Sequence, residues 1–434
     1  MDRRGRRTRG GAHVSAAHVL RSVEEHREVI LAAVRPGEVV ASPVETALGL
    51  TLAEPVRARV PIPVFDNSAM DGFAVRYDDV AGATPATPIA LRVVADLPAG
   101  SPLDPFLRPG EAARIMTGSA MPTAADTVVP FEDTVDGLAD SLGEIQVRHA
   151  PRARGAHRRA RGGDLSPGDE VVAAGIALGA FQLGAAAAAG VAVVRVRRRP
   201  RVAVISTGSE LVAPGADLAR GQIPESNSIL LAGLARDAEC EVVLRTTVAD
   251  DDDGLRPALA AAREAGADAV VFSGGVSAGA YEVVKSTLGP TGEMTFTAVA
   301  MQPGKPQGFG ALDDGTLLFG LPGNPVSAAV SFEVFVRPAL LLMAGRAQLE
   351  RPVLRLAAGT GWRTPPGRRQ YLPAAIDRSD AAAWRVVPAT AGGSGSHLAG
   401  GLAQAEVFAV VPAEVEQIEP GDRVDVMLRG SMSC

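Results

Sequence analysis

From residue 200 onward, short apolar runs alternate with helix-like runs, and glycine-rich turns punctuate the strand ends. "RVAVIS", "CEVVLRTTVA" and "DAVVFS" read as strands, while "SILLAGLARDA" and "GLRPALAAAREAGA" carry helical spacing. "NPVSAAVSFEVFVRPALLLMAG" reads as one long helix, with Asn324 as its N-cap and Gly345 near its end. Strands apolar along their length need cover on both faces, so this region is constrained to a parallel α/β sandwich. Ligands of such sheets gather beyond the carboxyl ends of the strands.

At 434 residues the chain exceeds one ordinary core, and several domains are expected. Residues 12–33 show helical apolar spacing at Val19, Leu20, Val23, Val29 and Ile30. Residues 52–150 are rich in Pro, Val and Thr with many turn signals, which predicts a β-rich domain. The segment from "RPVLRLAAG" onward reads as a small all-β domain. The basic start, "MDRRGRRTRGG", has no apolar stretch behind it and reads as a disordered arm over residues 1–11, not a secretory signal.

One uncharged run, Val171–Val194, precedes "RVRRRPR" and imitates a membrane span. It is mostly Ala and Gly, broken by Gln182, so it reads as strand, turn, short buried helix and strand, with no membrane. A net charge of −6 argues against a general nucleic-acid binder. Cys240 and Cys434 supply neither a disulfide framework nor zinc spacing, which fits a reducing cytoplasm.

Two turns follow strands: "STGSEL", with Ser206, Thr207 and Gly208, and "SGGVSAG", with Ser273, Gly274, Gly275 and Ser277. Such turns point backbone N–H groups outward, a setting for phosphate or another oxyanion. Neither is a nucleotide fingerprint, and in "MQPGKP" Pro306 stands where a P-loop needs Ser or Thr. Turn acids usually cap helices, yet Glu210, Asp250 and Glu282 all follow strands of one sheet and converge on one rim. Convergent carboxylates beside an anion site are what Mg²⁺ uses.

"PVFDNSAMDGFAVR" exposes Asp66 and Asp71 beside Met70 and Phe73, and "GLPGNPVSA" sets Pro322, Asn324 and Pro325 as a rigid wall at a helix start. The tail offers Arg368 and Arg369 in "GRRQ", then Ser394, Ser396 and His397 in "GSGSH", donors suited to a small tetrahedral dianion. Lys285 and Lys305 are the only lysines among 43 Lys and Arg residues; the rest are arginines.

Together these runs resemble the molybdopterin molybdenumtransferases, the MoeA family that includes the E domain of gephyrin. "PVFDNSAMDGFAVR", "RIMTGSAMP", "VAVISTGSELV", "GQIPESN", "VVFSGGVSAGAYEVVK", "AMQPGKPQGFG", "LFGLPGNPVSA" and "GSGSH" carry the likeness in order along nearly the whole chain. It implies an α/β multidomain fold. Residues 12–33 would pack on a molybdopterin-binding α/β domain at 196–349, and 34–52 with 165–195 would form a linker domain. Residues 53–164 would form an inserted β-rich domain, and 350–434 a C-terminal β-barrel-like domain. It further implies a cytoplasmic homodimer, contact with the molybdopterin adenylyltransferase, and Mg²⁺-dependent insertion of molybdate into adenylylated molybdopterin with release of AMP.

Carried over residue by residue, the likeness makes Asp66, Thr117, Asp164, Glu210, Asp250 and Glu282 catalytic, the last three also holding the metal. Ser206, Thr207, Gly208, Ser273, Gly274, Gly275, Ser277, Lys285, Lys305, Pro322, Asn324 and Pro325 would bind substrate, and Arg369 and Ser396 molybdate. The chain departs from the family at Glu225 and Glu282, where Asp is common, at Gln302 and Ala298, where relatives carry lysines, and at Gly163 beside Asp164. Two other readings are an adenylyltransferase sharing the α/β domain and a gephyrin-like scaffold. The flanking domains and tail weigh against the first, and the lack of a long linker or second enzymatic domain against the second.

Overall fold

The structure, a computed structural model, describes residues 20–135, 137, 142–250, 252–276, 282–390 and 399–429. The chain divides into two compact units, Val39–Val196 and a second made of Met1–Glu38 with Arg197–Cys434.

Among the described residues the second unit opens with helix α1 (Val23–Ala33), within the span 12–33 that the spacing predicts; residues 12–19 lie outside the described residues. Ser22 sets the start: its hydroxyl accepts from the Glu25 N–H while Glu25 accepts from the Ser22 N–H, a reciprocal capping box. The elements that follow are β1 (Arg201–Thr207), α2 (Asn227–Asp237), β2 (Glu241–Val248), α3 (Asp252–Glu264), β3 (Ala269–Ser273) and α4 (Val283–Leu288). Beyond them come β4 (Thr295–Ala298), β5 (Met301–Gln302), β6 (Pro306–Ala311) and β7 (Leu317–Leu321). The main sheet has the order β2-β1-β3-β7-β6-β4.

β2, β1, β3 and β7 run parallel, whereas β6 is antiparallel to β7 and β4 antiparallel to β6. The sheet is thus mixed rather than wholly parallel. Alternation along β1 explains its apolar run: Val202 and Val204 enter one buried layer with α1 and α2, and Ala203 and Ile205 the other with α3 and α4.

The long helix expected after Asn324 is interrupted. α5 (Pro325–Ser331) and α6 (Arg337–Met343) flank a five-residue π-helical segment, Phe332–Val336. Its Glu333 is buried and accepts two bonds of 3.0 Å from Arg351, with Arg337 at 3.9 Å. Among the described residues Pro325–Met343 is the helix long and apolar enough to cross a membrane, and its apolar window is 89% buried in this core.

The C-terminal strands β8 (Val353–Ala358), β9 (Arg369–Asp377), β10 (Arg385–Pro388), β11 (Val407–Val411) and β12 (Arg423–Leu428) form a closed barrel. The order is β9-β10-β8-β12-β11, and β11 pairs back to β9. β5 extends β9 in parallel, linking "QPGKPQG" to the barrel's first long strand region.

In the other unit, a five-stranded sheet (Gly72–Val75, Ile89–Leu97, Glu111–Ile115, Thr127–Pro130 and Glu144–Val147) has buried clusters on both faces. The uncharged run folds into strand Glu170–Val172, helix Ala180–Ala188 and strand Val193–Arg197. The helix is not the buried one expected: Ala186 is its one buried residue and Phe181 is 91% exposed.

Candidate active site

The site of the α/β sheet forms where its parallel strands end. β1 finishes at Thr207, β3 at Ser273 and β7 at Leu321, followed by Pro322. Because β6 is antiparallel to β7, its first residues lie at that same edge, and Lys305 precedes it. The antiparallel turn thus brings Lys305 to the rim from the start of a strand. A cleft of about 740 Å³ opens there, lined by Ser206, Thr207, Glu210, Asp250, Ser273, Gly274, Gly275, Glu282, Lys305, Pro322, Asn324 and Pro325, among others.

Glycine is required at two of these turns. Gly274 has φ +94°, and a Cβ there would come within 2.6 Å of the Thr207 carbonyl oxygen. Gly304 has φ +99°, with room for no Cβ beside the Ser331 hydroxyl at 2.8 Å. The Gln307 amide donates to the Gly304 carbonyl at 2.6 Å and to Ser331 Oγ at 2.7 Å, fixing the turn that carries Lys305.

The acids divide into two kinds. Glu225 is buried and fully occupied: it accepts from Ser206 Oγ (2.8 Å), Ser228 N–H (2.7 Å) and Ser228 Oγ (2.6 Å). Glu225 borders the cleft with these bonds made inside the protein, and Glu210, Asp250 and Glu282 line it as well. Asp250 is tied to the first turn, its N–H donating to Ser209 Oγ at 3.1 Å. Glu282 occupies the N-cap position of α4. Among the described residues no three His, Cys, Asp or Glu side chains are gathered into a metal cage.

Several residues expected at this site lie elsewhere. Gly208 is not part of the cleft lining, and Lys285 stands exposed on α4 outside it. Ser277 and Ser396, with Ser394 and His397, fall outside the described residues. Arg369 pairs with Glu24 of α1, and Tyr371 lies beside it. Its neighbour Arg368 makes the contact with the cleft, donating from Nη1 to Oε1 of Gln302 at 2.6 Å; Gln302 is a lining residue.

Asp66, Thr117 and Asp164 belong to the other unit. There the segment around Asp66 lies between residues 116–121 and 157–165. Asp66 accepts the Arg161 N–H at 2.7 Å and faces Arg158 at 3.2 Å. Thr117 gives both its N–H (2.7 Å) and its hydroxyl (2.8 Å) to Asp71, holding that carboxyl below the usual carboxylate range. The Asp164 N–H donates to the Ile62 carbonyl at 2.9 Å.

Sequence reasoning passed over Asn227 at the end of "GQIPESN", because an asparagine opening a helix reads as a cap. Its Nδ2 donates to Ser273 Oγ at 2.8 Å and to the Gly323 carbonyl at 2.6 Å, joining α2 to the turns after β3 and β7.

Three family models match the chain: the MoeA N-terminal region (domain I and II) at residues 21–190, a probable molybdopterin binding domain at 203–341, and the MoeA C-terminal region (domain IV) at 355–428. Molybdopterin molybdenumtransferase 2 of Mycobacterium tuberculosis is 43% identical over 413 residues, 94% of this chain and 99% of that protein. The molybdopterin molybdenumtransferase of a Nostoc species is 35% identical over 88% of this chain and 86% of its own. The crystal structure of the molybdopterin biosynthesis MoeA protein of Pyrococcus horikoshii superposes with a TM-score of 0.78 at 32% identity, covering 95% of this chain and all of that one. With the sheet, cleft and barrel described above, these matches make the chain a member of the molybdopterin molybdenumtransferase family.

Proposed function

We propose that this enzyme of molybdenum cofactor biosynthesis inserts molybdate into adenylylated molybdopterin and releases AMP. The observation that carries the reading is one cleft of about 740 Å³ shared by two glycine-rich strand ends, the carboxylates of Glu210, Glu225, Asp250 and Glu282, and Lys305. That volume suits a single small-molecule ligand, and the mixture suits a phosphoanhydride beside a tetrahedral dianion.

Mg²⁺ fits the donor set. This ion keeps several waters and takes one or two carboxylates plus substrate phosphates, so acids spread around a rim serve it better than a closed cage. One or two of Glu210, Asp250 and Glu282 would hold it, and when bound it would neutralise phosphate charge as the anhydride breaks. The chain's own groups do the rest. Ser206, Thr207, Ser273, Gly274 and Gly275 seat the substrate against the strand ends, and the Pro322–Pro325 turn walls it. Lys305, carried on its fixed turn, draws the dianion toward the dithiolene, with Arg368 beside it through Gln302 and Arg369 and Ser396 as further donors. Proximity then drives the exchange.

The reading includes a cytoplasmic homodimer, in which Asp66, Thr117 and Asp164 of one protomer face the cleft of its partner. Release of AMP requires a supplier of adenylylated pterin, for which contact with the adenylyltransferase is the economical route.

Purified protein incubated with adenylylated molybdopterin, Mg²⁺ and molybdate is expected to release AMP only when molybdate is present. Equal release without molybdate, or none, refutes the reaction.

A further inference from the structure

We infer that Asn227 is a positioning residue that makes Ser273 the hydroxyl donor to a phosphate oxygen of the ligand, and that Ser206 is barred from that role. The inference rests on the proposed substrate, and it follows from counting hydrogens.

An asparagine amide has two N–H donors and one carbonyl oxygen. At Asn227 the donors go to Ser273 Oγ and to the Gly323 carbonyl, at 2.8 and 2.6 Å. A backbone carbonyl accepts only, so the amide orientation is fixed with Nδ2 toward both. Ser273 Oγ therefore accepts from Asn227, and its own O–H proton is committed to no acceptor among the described residues. Ser273 ends β3 in the cleft floor, so that proton is available to an anion seated there.

Ser206, at the equivalent end of β1, is in the opposite state. Its hydroxyl donates to the buried Glu225 carboxylate at 2.8 Å. Toward a ligand it can only accept, and a phosphate oxygen offers it nothing to accept. Two serines that look alike in sequence thus have opposite polarity.

The arrangement carries a cost. The Asn227 carbonyl oxygen is buried and lacks a partner among the described residues, an unfavourable state for a buried acceptor. Turning the amide over would pair that oxygen differently and take the donor away from Ser273.

Inorganic pyrophosphate is the probe, titrated by calorimetry against the full chain and its variants Ser273→Ala, Asn227→Ala, the double variant and Ser206→Ala. Wild type is expected to bind it. Ser273→Ala should weaken binding about tenfold, the effect of one hydrogen bond to a charged group. Asn227→Ala should do nearly the same, and the double variant should be no worse than Ser273→Ala alone. Ser206→Ala removes no donor toward the ligand and should weaken binding clearly less than Ser273→Ala does. Ser273→Ala keeps the Asn227 bond to Gly323 but strands its other N–H, so a modest fall in melting temperature is expected with the fold retained.

Additive losses in the double variant, wild-type binding by Asn227→Ala, or a wild-type chain that does not bind pyrophosphate would each overturn the assignment. A chain that passes this test and yet shows no molybdate-dependent AMP release refutes the proposed reaction alone.

Discussion

The cleft at the strand ends and the corner around Asp66 are both rich in acids, but they hold them differently. At the corner, Asp66 and Asp71 are committed to Arg158, the Arg161 amide and Thr117. At the cleft, the one deeply buried acid, Glu225, absorbs the local donors, while Glu210, Asp250 and Glu282 stand around the opening. An acid with several bonds made inside the protein supports structure whatever else it does. An acid on the rim is placed for something that arrives.

Substitutions can break that contrast. Glu210→Ala is expected to reduce molybdate-dependent AMP release at least about a hundredfold, as loss of an electrostatic group at a reacting centre does, with melting unchanged. Asp66→Ala should abolish release equally, but it should also lower stability by about 1 kcal/mol, because the Arg161 amide and Arg158 lose their acceptor. Equal melting temperatures for the two variants would erase the distinction.

Glu225→Ala tests the buried acid. It strands Ser206 and the Ser228 N–H and hydroxyl, and should cost about 3 kcal/mol in urea unfolding. A loss of AMP release without that destabilisation would move Glu225 into the reactive set.

Acid stability reports on α1 in the same unit. Burial, with Arg21 nearby, lowers the His26 pKa from 6.5 to about 4. The folded state holds His26 neutral, so below pH 6.5 the unfolded chain takes up a proton that the folded chain refuses. Stability should therefore fall between pH 6.5 and 4, by up to roughly 3 kcal/mol, and be flat with respect to this group above that window. His26→Leu should remove this component of the slope in pH-dependent unfolding.

The smallest effect belongs to Lys305→Arg. Its turn is fixed by Gly304, Gln307 and Ser331, so the fold should be indifferent. A forked guanidinium replaces a compact ammonium, and turnover should drop about threefold to tenfold. Wild-type turnover would show that the cleft needs a positive charge there and not its shape.

Much of the α/β unit was legible because its strands are buried on both faces, which leaves an apolar run that few other settings produce. The strand-end turns were legible for a related reason: Gly274 and Gly304 sit where a side chain would collide. Direction was harder to read. Nothing in "PQGFGA" says that it runs antiparallel to β7, since either direction buries the same residues. Phase was harder still. Arg368 closes the turn before β9 and Arg369 opens the strand, and their side chains part there; one reaches Gln302 and the other Glu24. Choosing between them from sequence alone requires knowing which side faces the cleft. Asn227 was hidden by its own ordinariness, since its partners Ser273 and Gly323 are distant in sequence.

The π-helical segment within the helix after Asn324 has a consequence for how this chain can change length. A π-helical turn takes up one more residue than an α-helical turn, so deleting one residue between Phe332 and Val336 should restore regular pairing and leave Pro338, Ala339, Leu340 and Leu341 in their buried places on α6. A regular helix advances about 100° per residue, so the same deletion within α5 or α6 would swing everything downstream by more than a quarter turn. The segment is the one place in this helix where its length can change by a residue without loss of register.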